Sequence, residues 1–158
     1  MAKTKVLSMS EDLKKKIRLI EGSDRSLSIH AGYWKPGDDW NQAVEQNDQN
    51  PSKALSSWAS SLEACAKGLR DLSAWVDKKD VTGDGMAHGA FIHGLSLTDA
   101  LEAVERFPGL VCIDGLSAEG IASRCEDAGV DLSDEEFSLL GDMEGAEPSL
   151  LEITEAPI

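Results

Sequence analysis

The stretch NPSKALSSWASSLEACAKGLRDLSAWVDKK, Asn50 to Lys79, decides the fold. Leu55, Trp58, Leu62, Cys65, Leu69, Leu72 and Val76 recur at alternating steps of three and four, the seam spacing of a long amphipathic helix. Asn50 is a good N-cap, and Pro51 sits at the first helical position, where its missing N–H costs nothing. From Pro51 to Lys79 such a helix runs about 43 Å at 1.5 Å per residue, longer than a domain of this size is usually wide. The sequence therefore predicts a spine whose seven seam side chains, buried at roughly 1.5–3 kcal/mol each, are the main source of core stability.

Working outward, Ser8 with Glu11 three residues later reads as a capping box for a first short helix. Its apolar face is Leu13, Ile17 and Ile20, and its other face carries Lys14, Lys15, Lys16 and Arg18. Leu27, Ile29, Ala31 and Tyr33 alternate with Ser28, His30 and Gly32, the period of a half-buried strand with His30 on the polar face. Trp34-Lys-Pro-Gly-Asp-Asp-Trp40 turns the chain and brings two indoles near each other; either ring is a candidate anchor for a partner, because Trp is enriched among interface hot spots. Residues 41–49 read as a short helix leading to the cap of the spine.

After the spine, Asp80 to Gly94 holds four glycines at positions 83, 85, 89 and 94, which implies tight turns or close backbone approach. Residues 90–95 offer a strand. A helix from about Asp99 to Phe107 follows, stopped by Pro108-Gly109, and Leu110 to Ile113 is a short apolar run suited to a buried strand. Ser117 caps a helix closed by Gly129, and Ser133 with Glu136 forms a further capping box before Phe137, Leu139 and Leu140. The expected organisation is one globular domain over residues 1–141 and an acidic, flexible tail over residues 142–158. The expected fold class is α+β, mainly helical: one long central amphipathic helix packed with shorter helices against a small sheet.

The chain has 158 residues, 29 acidic against 15 basic, for a formal net charge of -14. Nucleic acid and anionic membrane reward basic patches, so neither is expected as a direct ligand, and a basic protein surface is. The asymmetry is strong: residues 97–158 hold sixteen carboxylates against Arg106 and Arg124, whereas residues 1–36 hold eight basic against four acidic side chains. Cys65, Cys112 and Cys125 are widely spaced and show no paired motif, which predicts free thiols. With neither a signal-like apolar run near Met1 nor a span of about 18 apolar residues, a cytoplasmic setting is expected.

Two constellations bear on chemistry. Asp80-x-Thr82-x-Asp84-Gly85 resembles the first half of an EF-hand calcium loop, yet the position of its bidentate glutamate holds Phe91 and its ninth position holds His88. Asp80, Asp84, His88 and His93 are thus weak metal candidates, and no cofactor is expected. The same histidines with Asp84 suit a hydrolytic site, which makes a small enzyme or metal-binding protein centred on residues 80–94 the alternative function. Residues 117–143, through Ala128-Gly-Val-Asp-Leu-Ser-Asp-Glu-Glu-Phe137 and Gly141-Asp142, resemble the end of leader regions in ribosomally made peptide precursors, and that resemblance implies recognition by a modifying enzyme. The favoured reading is a non-catalytic acidic module of the inhibitor, immunity or anti-defence type that occupies a basic partner surface. Dense carboxylates steer such encounters, as they do in inhibitors that imitate nucleic acid. Its contact residues are expected to be Asp134, Glu135 and Glu136, with Trp34 and Trp40 as anchors.

Overall fold

The computed structural model describes residues 7–23, 25–32, 41, 43–79, 81–86, 89–114 and 117–145. Among the described residues, five helices and four strands are laid out as α1 (Glu11–Glu21), β1 (Leu27–Gly32), α2 (Pro51–Asp77), β2 (Thr82–Met86), β3 (Gly89–Leu95), α3 (Leu97–Arg106), β4 (Val111–Asp114), α4 (Ala118–Asp127) and α5 (Asp134–Glu144), with a further helical turn at residues 43–46. The fold is mainly helical α+β, with the long helix and the small sheet that the sequence predicts.

Each of these five helices begins on a side-chain cap. Ser10, Asn50, Ser96, Ser117 and Ser133 accept from the backbone N–H at the third helical position, satisfying donors that would otherwise be orphaned. The cap of α1 is Ser10, whose Oγ accepts from Leu13 N at 3.1 Å, and not the expected Ser8. At α5 the capping box is complete, with Ser133 N donating to Glu136 Oε1 at 2.9 Å and Glu136 N to Ser133 Oγ at 3.1 Å. That helix continues past Leu140 to Glu144 and buries Met143 completely.

The sheet is antiparallel in the order β2-β3-β1-β4. Its inner face, with Ile29, Ala31, Ile92, Val111 and Ile113 buried, packs under α3, and α1, α4 and α5 complete the core around Leu13, Ile17, Leu101, Val104, Ile121, Leu140 and Met143. The glycine-rich segment holds a strand, β2, where tight turns or close backbone approach were expected. Gly83 is there for close approach, since a Cβ on it would lie 2.5 Å from the Phe91 carbonyl oxygen. An extended strand cannot wrap its oxygens around one cation as a calcium loop does.

The spine departs from expectation in how it is buried. Cys65 and Leu72 are buried and Val76 packs against the core, but Leu55, Leu62 and Leu69 are 55%, 47% and 42% exposed. Ala54 and Trp75 are buried in their place. The helix docks through its second half: a Cβ on Gly68 would meet Leu110 Cδ1 at 2.5 Å, the Trp75 and Phe107 rings meet edge to face at 5.9 Å, and Lys79 Nζ reaches Asp99 Oδ1 at 3.1 Å. The core is instead centred on α3, five of whose ten residues are buried. None of the three cysteines is in a disulfide, and Cys65 and Cys125 are buried.

Candidate functional site

The first candidate is the acidic end formed by α4, the connection through residues 128–133, and the start of α5. Gly129 adopts φ +70, a conformation that L side chains rarely take, and closes α4 so that the chain reverses into the Ser133 cap. The reversal puts two depressions on either side of the α5 N-terminus. One, of about 290 Å3, is lined by Glu126, Val130, Asp131, Leu132, Asp134 and Phe137 among others. The other, of about 360 Å3, is lined by Asp134, Glu135, Ser138, Leu139 and Asp142. Asp134 belongs to both. Phe137 is 41% exposed, an aromatic ring flanked by carboxylates.

The three carboxylates named from sequence do not share one environment. Asp134 and Glu135 are exposed in the first turn, where the helix dipole favours negative charge. Glu136 is only 15% exposed and is held by Lys16 of α1 at 2.7 Å as well as by the Ser133 cap. Burial acts to raise its pKa, but the Lys16 hydrogen bond and the Ser133 backbone N–H outweigh that, and its carboxyl titrates below the usual glutamate range. Beneath this junction burial pushes the Cys125 thiol up, with Lys16 opposing and Glu136 reinforcing the shift, so it stays protonated and unreactive. Residues 117–143, read by resemblance as leader-like, are part of this body: Ile121, Cys125, Leu140 and Met143 all lie in the core.

The second candidate lies on the outer face of the sheet. The β1–β3 register slips between Leu27↔Leu95 and Ile29↔Ile92, so His93 and Gly94 together oppose Ser28. Gly94 takes φ +84 at this bulge, a geometry that re-aims neighbouring side chains. His93 Nδ1 consequently sits 2.9 Å from Ser28 Oγ and its Nε2 lies 3.2 Å from Asp84 Oδ2 of β2. With Nε2–H donating to Asp84, Nδ1 accepts from the Ser28 hydroxyl, a Ser–His–Asp relay across three strands. His30, Phe91 and His93 stack beside it, with ring centroids 4.9 and 5.9 Å apart. The Asp84 side chain is 79% exposed, so its pairing with His93 is a weak, solvent-screened one.

Of the residues named from sequence, Asp84 and His93 are thus brought together. Trp34, Trp40, Asp80 and His88 lie outside the described residues. Ser28 and the bulge were missed, because their meeting depends on strand register and no local spacing signals it. Among the described residues no group of three or more His, Cys, Asp or Glu side chains is placed to hold a metal ion, and no helix is long and apolar enough to cross a membrane. Compared with known proteins, the chain matches no family model, no curated protein and no solved structure.

Proposed function

We propose that the chain is a non-catalytic binding protein, of the inhibitor, immunity or anti-defence kind, whose α4–α5 end seats a basic and partly apolar segment of a partner protein. One observation carries this reading: half-exposed Phe137 stands in a depression rimmed by Glu126, Asp131 and Asp134, with a second acidic depression sharing Asp134. An apolar anchor inside a charged rim is the usual anatomy of a protein contact, with the ring supplying affinity and the rim supplying orientation and encounter rate. The overall charge of -14 adds long-range attraction toward a basic surface.

The test is a titration with a short basic amphipathic peptide of alternating lysine and leucine, read by amide chemical shifts. Shifts concentrated on residues 126–139 that vanish in Phe137→Ala and in Asp131→Asn/Asp134→Asn/Glu135→Gln support the site. Shifts spread over every acidic surface, or none, would refute it.

A second reading, favoured by the Ser28–His93–Asp84 relay, is a small hydrolase with Ser28 as nucleophile and His93 as base. It requires turnover of an activated ester such as p-nitrophenyl acetate that falls at least tenfold in both Ser28→Ala and His93→Ala. Turnover indifferent to either change removes it.

A further inference from the structure

Helix α2 carries two apolar stripes, and the fold uses one. The stripe through Ala54, Cys65, Leu72 and Trp75 faces the core. About a third of a turn away lie Leu55, Ala59, Leu62, Ala66, Leu69 and Ser73, all exposed, spaced by alternating steps of four and three. This is a heptad seam with leucine at one position and a small residue at the other, and no charge interrupts it. It spans about 27 Å of helix at 1.5 Å per residue. Small residues between the leucines let a second helix approach closely; in an antiparallel pair Leu62 packs over Ser73 and Leu69 over Ala66 of the other copy.

The flanking charges say what that second helix is. Glu63 and Arg70 are both exposed, lie on the same side of the stripe seven residues apart, and straddle Ala66. Neither carries an ion pair among the described residues. Two copies of α2 laid antiparallel about a two-fold axis near Ala66 set Glu63 of each beside Arg70 of the other, so one surface is complementary to itself. A parallel arrangement puts the Glu63–Arg70 flanks of the two copies on opposite sides of the seam, so neither residue meets its counterpart and the match is lost. Three heptads are too few to hold two isolated helices together firmly. Here the fold has already ordered both helices, which removes much of the entropic cost of pairing.

We propose that the chain forms a homodimer through antiparallel packing of the Leu62–Ser73 part of the α2 stripe, cross-matched by Glu63 and Arg70. The proposal is independent of the binding site at the α4–α5 end.

Sedimentation across a series from low micromolar to near millimolar tests it. The expected result is a concentration-dependent shift from the 16.9 kDa protomer to twice that mass. Leu62→Asp is expected to abolish the dimer while keeping the circular-dichroism melt, because Leu62 is half exposed. Should that variant fail to fold, Arg70→Glu at an exposed position is expected to weaken dimerisation about tenfold, and Glu63→Arg/Arg70→Glu to restore it. Orientation is read by oxidative cross-linking above the wild-type background: Ala66→Cys, beside the axis, links to its copy, whereas Ser52→Cys, about 40 Å from its counterpart by the helix rise, does not. A protein that stays monomeric at every concentration overturns the proposal; that is the outcome expected if Leu150, Leu151 and Ile153 of the same chain occupy the stripe. A dimer indifferent to both Leu62→Asp and Arg70→Glu, or efficient linking through Ser52→Cys, overturns it equally.

Discussion

Glu136 is the residue on which three elements converge. Its carboxylate closes the α5 capping box, accepts from Lys16 of α1, and acts electrostatically on the Cys125 thiol of α4. A triple change at Asp134, Glu135 and Glu136 would therefore mix loss of surface charge with loss of structure, and only the first two are free to report on binding. Glu136→Gln keeps an acceptor for the capping box and is expected to cost about 1–2 kcal/mol from the lost charge-assisted hydrogen bond with Lys16. The pH dependence has a definite sign. A carboxylate held below the ordinary glutamate range in the folded state contributes fully above that range, and its contribution is lost as pH falls through its lowered folded value. Melting temperature should thus fall more steeply in wild type than in Glu136→Gln as acid is added below about pH 4.5, and parallel curves would detach Glu136 from acid stability. Gly83 and Gly85 make a second residue-scale contrast. A Cβ at Gly83 meets backbone at 2.5 Å and one at Gly85 meets nothing within 4 Å. Gly83→Ala is expected to cost about 1–3 kcal/mol by overpacking, and Gly85→Ala to leave the thermal melt near that of wild type; equal melts for the two variants would contradict the packing of β2 on β3.

At the scale of elements, what was legible in sequence follows from how local each signal is. Helix α2 was legible from Asn50-Pro51 and the three-four spacing, as were the capped starts of α4 and α5, because caps and periodicity are properties of a few consecutive residues. Which stripe of α2 is buried was not. The leucines at 55, 62 and 69 are as apolar as Leu72, and only the position of Phe107 and Leu110 against Gly68 and Trp75 decides between the two faces. Strand β2 was hidden for a different reason: Thr-Gly-Asp-Gly-Met has no apolar alternation, and as an edge strand it is defined by its ladder with β3. The relay among Ser28, His93 and Asp84 is a consequence of one bulge at Gly94, a register event that sequence spacing cannot express. The outward leucine stripe of α2 is the counterpart of these misses, since a pattern strong enough to predict burial within the chain has a face left for burial against a copy.

On the scale of the whole molecule, the sequence dipole is partly folded onto itself. Lys14 reaches Glu105 at 3.5 Å, Lys16 reaches Glu136 at 2.7 Å, and Lys79 reaches Asp99 at 3.1 Å, so basic side chains outside the acidic third neutralise carboxylates within it. Glu105 and Glu144 are further committed to the backbone N–H groups of Met9 and Ala118. The carboxylates that remain exposed on α4, the connection and the α5 start are Glu119, Glu126, Asp127, Asp131, Asp134 and Glu135. Their field is what an approaching basic surface meets. Exposed charges are screened over about 8 Å at physiological ionic strength, so association with a basic partner should slow steeply as salt is added. Asp131→Asn/Asp134→Asn/Glu135→Gln should slow association several-fold and flatten that salt dependence, with dissociation little changed, because rim charges govern encounter more than residence. Phe137→Ala should act the other way, leaving association intact and speeding dissociation, as loss of an anchor does. The triple variant gives up a favourable helix-dipole interaction at Asp134 and Glu135, worth about 0.3–1 kcal/mol each, so its melting temperature should drop by only a few degrees. Stopped-flow association against the lysine–leucine peptide separates these effects, and a rate equally insensitive to salt and to the triple change would leave the exposed acidity with no part in binding.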